Sequence, residues 1–234
     1  MTIKFYDLVG ADPDRPFSPH CWKVRMALAQ KGLEFEQVPV RFPEIAAIEN
    51  GGYSTVPVIR HGANIIADSF DIAVYLADDY PDQGGHLFRG PGSRALSKFV
   101  ESWSQTRLHP WCFRWAVLDI HAMLSEEDQK WYRKSREKRV GKTLEEFAEG
   151  REHTLPELQE RLAPMHMMLK SQPFIGGQEA LFADYVVFGV FQWLRITSGL
   201  SMIAKDDPVR DWLERMLDLH GGLGRSVAEG PGQT

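Results

Sequence analysis

Apolar and polar residues alternate roughly along Ile3–Val9 (IKFYDLV), where β-branched and aromatic side chains dominate, and that period predicts a strand. The following GADPDRPF, with two prolines and a glycine, reads as a loop. From Pro19 the period lengthens. Trp22, Val24, Ala27, Leu28 and Leu33 recur at helical spacing with Lys23, Arg25 and Lys31 between them, and Gly32 supplies a C-terminal stop. Glu34–Val40 alternates again. Pro57–Arg60 and Ala63–Ala67 are short apolar runs around His61-Gly62, a hairpin signal. Ser69–Tyr80 returns to the helical period with Phe70, Ile72, Ala73 and Leu76 on its apolar side. The opening 80 residues therefore predict β-α-β, an irregular stretch, then β-β-α.

Pro81–Gly92 concentrates Pro81, Gly84, Gly85, Gly90, Pro91 and Gly92, and is expected to be a linker. Beyond it no strand pattern recurs, and helices are predicted over Ser93–Leu124, Thr143–Lys170, Asp184–Ser198 and Asp207–Leu219. The expected division is residues 1–81, a linker at 82–92, and an all-helical domain at 93–234, an α+β chain overall. One charge run, Glu126–Lys142, reads as a solvated loop and helix face, with an anion or partner surface as the alternative.

Composition narrows the function classes. With 234 residues, 43% hydrophobic and 25% charged, the chain can bury a real core, and mean hydropathy of −0.31 without a long uncharged apolar run argues against a membrane span. A net charge of −5 gives no general attraction for nucleic acid, so small molecules are the expected partners. Cys21 and Cys112 cannot build a disulfide framework, and Met1–Asp7 enter a strand pattern directly rather than a secretion signal; a reducing cytoplasm is expected. Seven tryptophans either line something or fill a large helical core.

Three places carry candidate chemistry. Ser18-Pro19-His20-Cys21 falls where the first strand hands over to the first helix. Ser18 there is either an N-cap or a donor to an anion, thiolate included, held at the positive helix start. No G-x-S-x-G surrounds it, which weakens a Ser-His-Asp nucleophile. Thr55-Val56-Pro57 opens the third strand; the proline is a strand start, or a cis bond that would turn the Val56 N–H and C=O outward toward an extended peptide. Asp68-Ser69 is a cap pair opening a helix, or a cradle for an amino acid's ammonium and carboxylate.

In this order, before a Gly/Pro stretch and a helical domain, these motifs resemble the glutathione transferases. The resemblance implies a thioredoxin-like N-terminal domain and an all-helical C-terminal one. It implies Ser18 as the residue activating the glutathione sulfur, Thr55, Val56 and cis Pro57 beside the tripeptide, and Asp68 with Ser69 at its γ-glutamyl end. PFSPHCWKVRMALAQKG (16–32), DSFDIAVYL (68–76), GREHTLP (150–156), ADYVVFGVFQW (183–193) and DDPVRDWLERMLDLHGGLGR (206–225) resemble the bacterial β-aryl etherases and their fungal etherase-like relatives. That branch uses glutathione to cleave lignin-derived β-aryl ethers. The implied cofactor is glutathione without a metal, and the implied assembly is a homodimer. Two departures stand out: Leu181 occupies the capping-box hydroxyl position before Asp184, and Leu108–Asp119 (LHPWCFRWAVLD), where the resemblance implies that helix residues face the substrate, matches incompletely. Trp103, Trp111, Trp115 and Tyr185 are wall candidates by helix position, core filling being their alternative. Competing readings are a redox enzyme acting through Cys21, a non-catalytic carrier of hydrophobic aromatics, and a protein-interaction module.

Overall fold

The computed structural model describes residues 2–231; Met1 and residues 232–234, which bound the two expected domains, lie outside them. Four strands, β1 (Ile3–Leu8), β2 (Phe35–Val40), β3 (Val58–His61) and β4 (Asn64–Ala67), form one sheet in the order β2-β1-β3-β4. β1 and β2 run parallel in register Ile3↔Phe35 to Leu8↔Val40, so their connection needs a crossover, and α1 (Pro19–Gln30) provides it. β3 lies antiparallel to β1 and turns tightly into β4, and α2 (Ser69–Asp79) follows. This is the expected βαβ-ββα half.

The helical part comprises α3 (Gly90–Trp103), α4 (His109–Ala122), α5 (Glu126–Val140), α6 (Leu144–Ala148), α7 (Leu155–Met168), α8 (Phe182–Ser198) and α9 (Pro208–Gly222). Three boundaries differ from the sequence reading. The helix expected over Ser93–Leu124 is interrupted by a π-turn at Ser104–Leu108, which separates α3 from α4. The one expected over Thr143–Lys170 breaks at Gly150, whose φ of 67° is left-handed and ends α6 before α7 begins. Gly90-Pro91-Gly92, assigned to the linker, forms the first turn of α3, where proline's missing N–H costs nothing. The charge run is mostly one helix. Ser125 caps α5 by accepting the Asp128 N–H, acids fill its first turn, Lys138 and Arg139 its last, and Gly141 ends it at φ 72°.

α8 is buried along its whole length, which is why its sequence is apolar on every side. Its anchor is Asp184. That carboxylate accepts the backbone N–H groups of Ile175 (2.7 Å), Gly176 (2.8 Å) and Leu181 (3.0 Å) and the Trp212 indole N–H (3.1 Å), while the Asp184 N–H, with no capping hydroxyl at Leu181 to accept it, donates to the Leu181 carbonyl at 2.9 Å. α1 packs along α8, and at Gly189 the approach is too close for any side chain: a Cβ there would lie 2.2 Å from the Pro19 carbonyl oxygen. Gly189 thereby sets how deeply the start of α1 seats on the helical part. Lys23 of α1 also reaches Glu101 of α3 at 3.0 Å, a pair whose lysine is fully buried. Among the described residues no helix is long and apolar enough to cross a membrane.

Candidate functional site

Ser18 stands at the hinge of β1 and α1. Its backbone is extended (φ −62°, ψ 126°) and its Oγ accepts the Cys21 N–H at 3.3 Å, so it caps α1; Pro19 at the first helical position removes a donor that would otherwise be unsatisfied. Because Oγ accepts in the cap, the hydroxyl proton stays available to a ligand. Ser18 is 3% exposed and lines a cavity of about 530 Å³ between the two halves of the molecule.

A second cavity of about 520 Å³ adjoins the first, and the two share His20, Thr55, Val56 and Gln105. Pro57, Asp68 and Ser69 line it from the sheet side, and Lys98 and Glu101 from α3. The Val56-Pro57 bond is cis. The Val56 N–H and C=O make no hydrogen bond to the described residues, an unusual condition for a backbone pair in a residue only 7% exposed. Asp68 adopts a positive φ of 72°, uncommon for a non-glycine, and accepts the Phe70 (2.8 Å) and Asp71 (3.3 Å) N–H groups, both through Oδ1. Oδ2 carries no hydrogen bond among the described residues. Thr55, Val56, Pro57, Asp68 and Ser69 thus gather in one cavity, with Ser18 in the next.

The four aromatic wall candidates lie elsewhere. Trp111 and Trp115 are 4% and 3% exposed and stack on each other at 5.1 Å; the Trp111 indole donates to the Thr154 carbonyl. Tyr185 is fully buried, bonding Gln30 at 2.8 Å and His220 at 3.0 Å. Trp103 is partly buried against the core and does not line either cavity. The π-turn explains part of this. A turn of that kind holds an extra residue, so positions extrapolated through it as regular helix are misplaced by about 100°. The aromatic wall beside Ser18 consists instead of Phe42, Phe113, Trp131, Tyr132, Phe147 and Trp193. Phe42, in a 3₁₀ turn after β2, stacks on Trp131 of α5 at 5.6 Å, a contact between residues 89 positions apart that no local pattern announces.

His20 and His109 also line the first cavity, and their rings stack at 5.1 Å. Burial, then the nearby Lys23 charge, holds His109 down at about 4; burial, Lys23 and His109 hold His20 well below the ordinary histidine value. Both are neutral at neutral pH. His109 Nδ1 lies 3.1 Å from the Ser104 carbonyl and so carries the proton, leaving Nε2 buried without a partner. Lys98 and the α5 aromatics had no sequence signal beyond helix membership, whereas His109 and Phe113 fall in the Leu108–Asp119 stretch expected to face the substrate.

Cys21 is fully buried, with Sγ 3.9 Å from the Tyr6 carbonyl, and burial raises its thiol well above the usual range. A thiol so placed is a poor nucleophile, which removes support from the redox reading.

Known proteins share this fold. Residues 13–84 match the family model for the glutathione S-transferase N-terminal domain, and residues 95–219 that for the C-terminal domain. The fold is similar to glutathione transferase GSTFuA3 from Phanerochaete chrysosporium, with 29% identity, TM-score 0.77, and coverage of 95% of this chain and 92% of that one. It is similar to CsGST63524 of Ceriporiopsis subvermispora, solved in complex with glutathione, with 24% identity, TM-score 0.82, and coverage of 94% and 96%. β-Etherase LigF from Sphingobium sp. strain SYK-6 shares the fold at 21% identity, TM-score 0.70, and coverage of 97% and 98%. With the C-terminal model alone matching more than half of the chain, this protein belongs to the glutathione S-transferase family.

Proposed function

We propose that the protein is a glutathione-dependent transferase in which a bound glutathione thiolate attacks an aromatic electrophile. The observation that carries this reading is the pair of adjoining cavities. One presents an unpaired backbone N–H and C=O at Val56 with a free carboxylate oxygen at Asp68; the other joins Ser18 to an aromatic wall. An extended peptide pairs with Val56, its terminal ammonium meets Asp68, its carboxylate meets the start of α2 at Ser69, and its sulfur meets Ser18.

A thiol of ordinary acidity titrates at about 8.5 and is mostly protonated at neutral pH. A hydrogen bond donated to a charged partner contributes roughly 1.5–3 kcal/mol, equivalent to about one or two pKa units, which makes the thiolate the major form. Ser18 donates without ionising, and the helix start adds the positive end of its dipole. The thiol proton leaves to solvent. The thiolate sulfur then bonds to the electrophilic carbon while the bond to the leaving group, such as a phenoxide, breaks and its electron pair departs with that group.

Residues 1–81 supply most of the glutathione contacts, the chain after them links as far as the start of α3 at Gly90, and the helical part together with Phe42 builds the electrophile's wall, with Lys98 and Glu101 of α3 reaching back to the glutathione cavity. Exposed Leu96 and Phe99 on α3, 67% and 71% accessible, suit a homodimer contact, and a cytoplasmic location fits the buried free cysteines. Cleavage of lignin-derived β-aryl ethers is the finer reading of the reaction. The test is a mass-spectrometric screen of α-keto β-aryl ethers and simple electrophiles with glutathione. New thioether masses formed at rates above the uncatalysed reaction support transfer, released phenol supports ether cleavage, and saturable aromatic binding without turnover favours the carrier reading.

A further inference from the structure

Charge on the aromatic wall is one-sided. The first cavity is lined by Arg136 and Arg139 of α5 and by no aspartate or glutamate among the described residues. Their neighbour on the same helix behaves differently: Arg133 binds Glu137 at 2.9 Å and Glu145 at 2.8 Å. Glu137, the carboxylate beside Arg136 in sequence, is thus committed to Arg133. Arg136 donates to the Ser135 hydroxyl at 3.1 Å and is otherwise held by ring faces, 4.9 Å from Tyr132, 5.0 Å from Phe42 and 5.9 Å from Trp131, and Arg139 sits 5.4 Å over Phe113. Neither arginine has a carboxylate partner among the described residues. Burial pushes the pKa of Arg136 down from its usual value, the direction expected of a cation that has lost water without gaining a carboxylate counter-ion. Beside it the Tyr132 hydroxyl, on a residue 1% exposed, faces no polar group other than the Arg136 guanidinium.

A guanidinium half removed from water, beside a buried hydroxyl and flat aromatic surfaces, is suited to an anion. We infer that the electrophile of this enzyme is an aromatic acid whose carboxylate is bound by Arg136, Arg139 and the Tyr132 hydroxyl while its ring lies on the Phe42, Phe113 and Trp131 faces. The inference rests on the transferase reading for the fate of the ring carbon, which must point to the Ser18 end of the same cavity. It adds the substrate class and the residues that select it. Planar guanidinium is suited to bidentate carboxylate binding and to stacking on rings at once, which lysine at these positions would not be.

The experiment compares 4-chloro-3,5-dinitrobenzoate with 2-chloro-1,3-dinitrobenzene, which differ only in the carboxylate opposite the chlorine. In both, the glutathione sulfur bonds to the ring carbon, chloride leaves with the electron pair, and the thiol proton goes to solvent. Each kcat/KM is divided by the uncatalysed rate constant, and the ratio between the two compounds is the selectivity. A selectivity for the benzoate of about ten- to hundredfold is expected, since one or two charge-assisted hydrogen bonds are at stake. In Arg136→Gln/Arg139→Gln it should fall to near one, and in the wild type it should shrink as ionic strength rises. Equal selectivity in both proteins, or none in the wild type, overturns the inference. If the double variant does not fold, Arg139→Gln alone, at the more exposed position, must lower the selectivity severalfold. Failure of the transferase reading is recognised separately, by titration calorimetry with the unreactive pair 4-amino-3,5-dinitrobenzoate and 2,6-dinitroaniline. Tighter binding of the acid that depends on the arginines upholds the anion site even without turnover, and equal binding of the two overturns it.

Discussion

The two walls of the site are built on opposite principles. On the sheet side, Ser18, Val56 and Asp68 act at chain turns: a cap, a peptide group beside a cis proline, and a second cap, each determined within about four residues. On the side facing it nothing is local. Phe42 from the turn after β2, Phe113 from α4, Trp131 and Arg136 from α5 and Trp193 from α8 meet there and act through side chains. A wall made of backbone and caps binds one peptide-like ligand in one pose, whereas a wall of side chains changes with any substitution. That difference fits a scaffold in which one co-substrate is constant and the other varies.

The comparison breaks most severely if the platform under both walls is removed. Asp184→Ala would strand three backbone N–H groups and the Trp212 indole at the start of α8, the helix on which α1 seats through Gly189. A loss of about 3–5 kcal/mol is expected, read as a lowered urea midpoint and a melting temperature down by roughly 10 °C. If stability is lost but residual folded protein binds glutathione normally, the sheet wall stands without its platform and the two halves are more independent than their packing indicates.

The seam between the walls, where His20 meets His109, should respond to acid. Folding keeps His109 neutral down to about 4, whereas the unfolded chain protonates near 6.5, so the unfolded state binds protons first as pH falls. Stability is therefore intact above about 6.5 and declines toward 4, by up to about 3 kcal/mol from this residue. Carboxylates titrate in the same window, so the measurement is the difference between wild type and His109→Gln in urea midpoints at pH 7.5 and 4.5. A flatter profile in the variant is expected; parallel profiles would mean that the histidine is not held neutral.

Ser18→Ala sharpens the contrast between capping and donation. Loss of a cap costs about 1 kcal/mol and a few degrees of melting temperature; loss of a thiolate donor raises the bound thiol's pKa by about one or two units and lowers turnover at neutral pH roughly ten- to hundredfold. The ultraviolet absorbance of the thiolate, titrated with pH, separates them. An unchanged titration with full turnover would leave activation to the backbone N–H groups alone.

The smallest effect concerns the far end of the sheet wall. Asp68 both caps α2 and offers Oδ2, so alanine would confuse the two roles, whereas Asp68→Asn keeps a good cap and removes the charge. Glutathione affinity should drop severalfold with melting within a degree or two of the wild type. Unchanged affinity by calorimetry would remove Asp68 from the ammonium site.

Legibility followed the same line. The β1-α1-β2 order, the hairpin at His61-Gly62, the caps at Ser18 and Asp68, and the closely packed α8 were readable because each rests on periodicity, capping or turn chemistry within one short window. The helix expected across Ser93–Leu124 misled for a reason equally physical. An apolar periodic run indicates a helix but carries no mark of a π-turn, and beyond Ser104–Leu108 the faces are rotated, so Trp111 and Trp115 turned inward.

By itself the sequence determined the architecture, the positions of the two caps, the proline before β3, and the family to which these belong. Tertiary structure alone decided which aromatics face the ligand and which fill the core. It left Arg136 and Arg139 without the carboxylates that neutralise Arg133, and it stacked His20 on His109. The reason is range. Propensity, period and capping are properties of neighbours in the chain, whereas the environment of a ring or a charge is made by whatever packs against it. In this molecule those partners lie 89 residues apart for His20 with His109 and for Phe42 with Trp131, and farther still for Phe42 with Arg136.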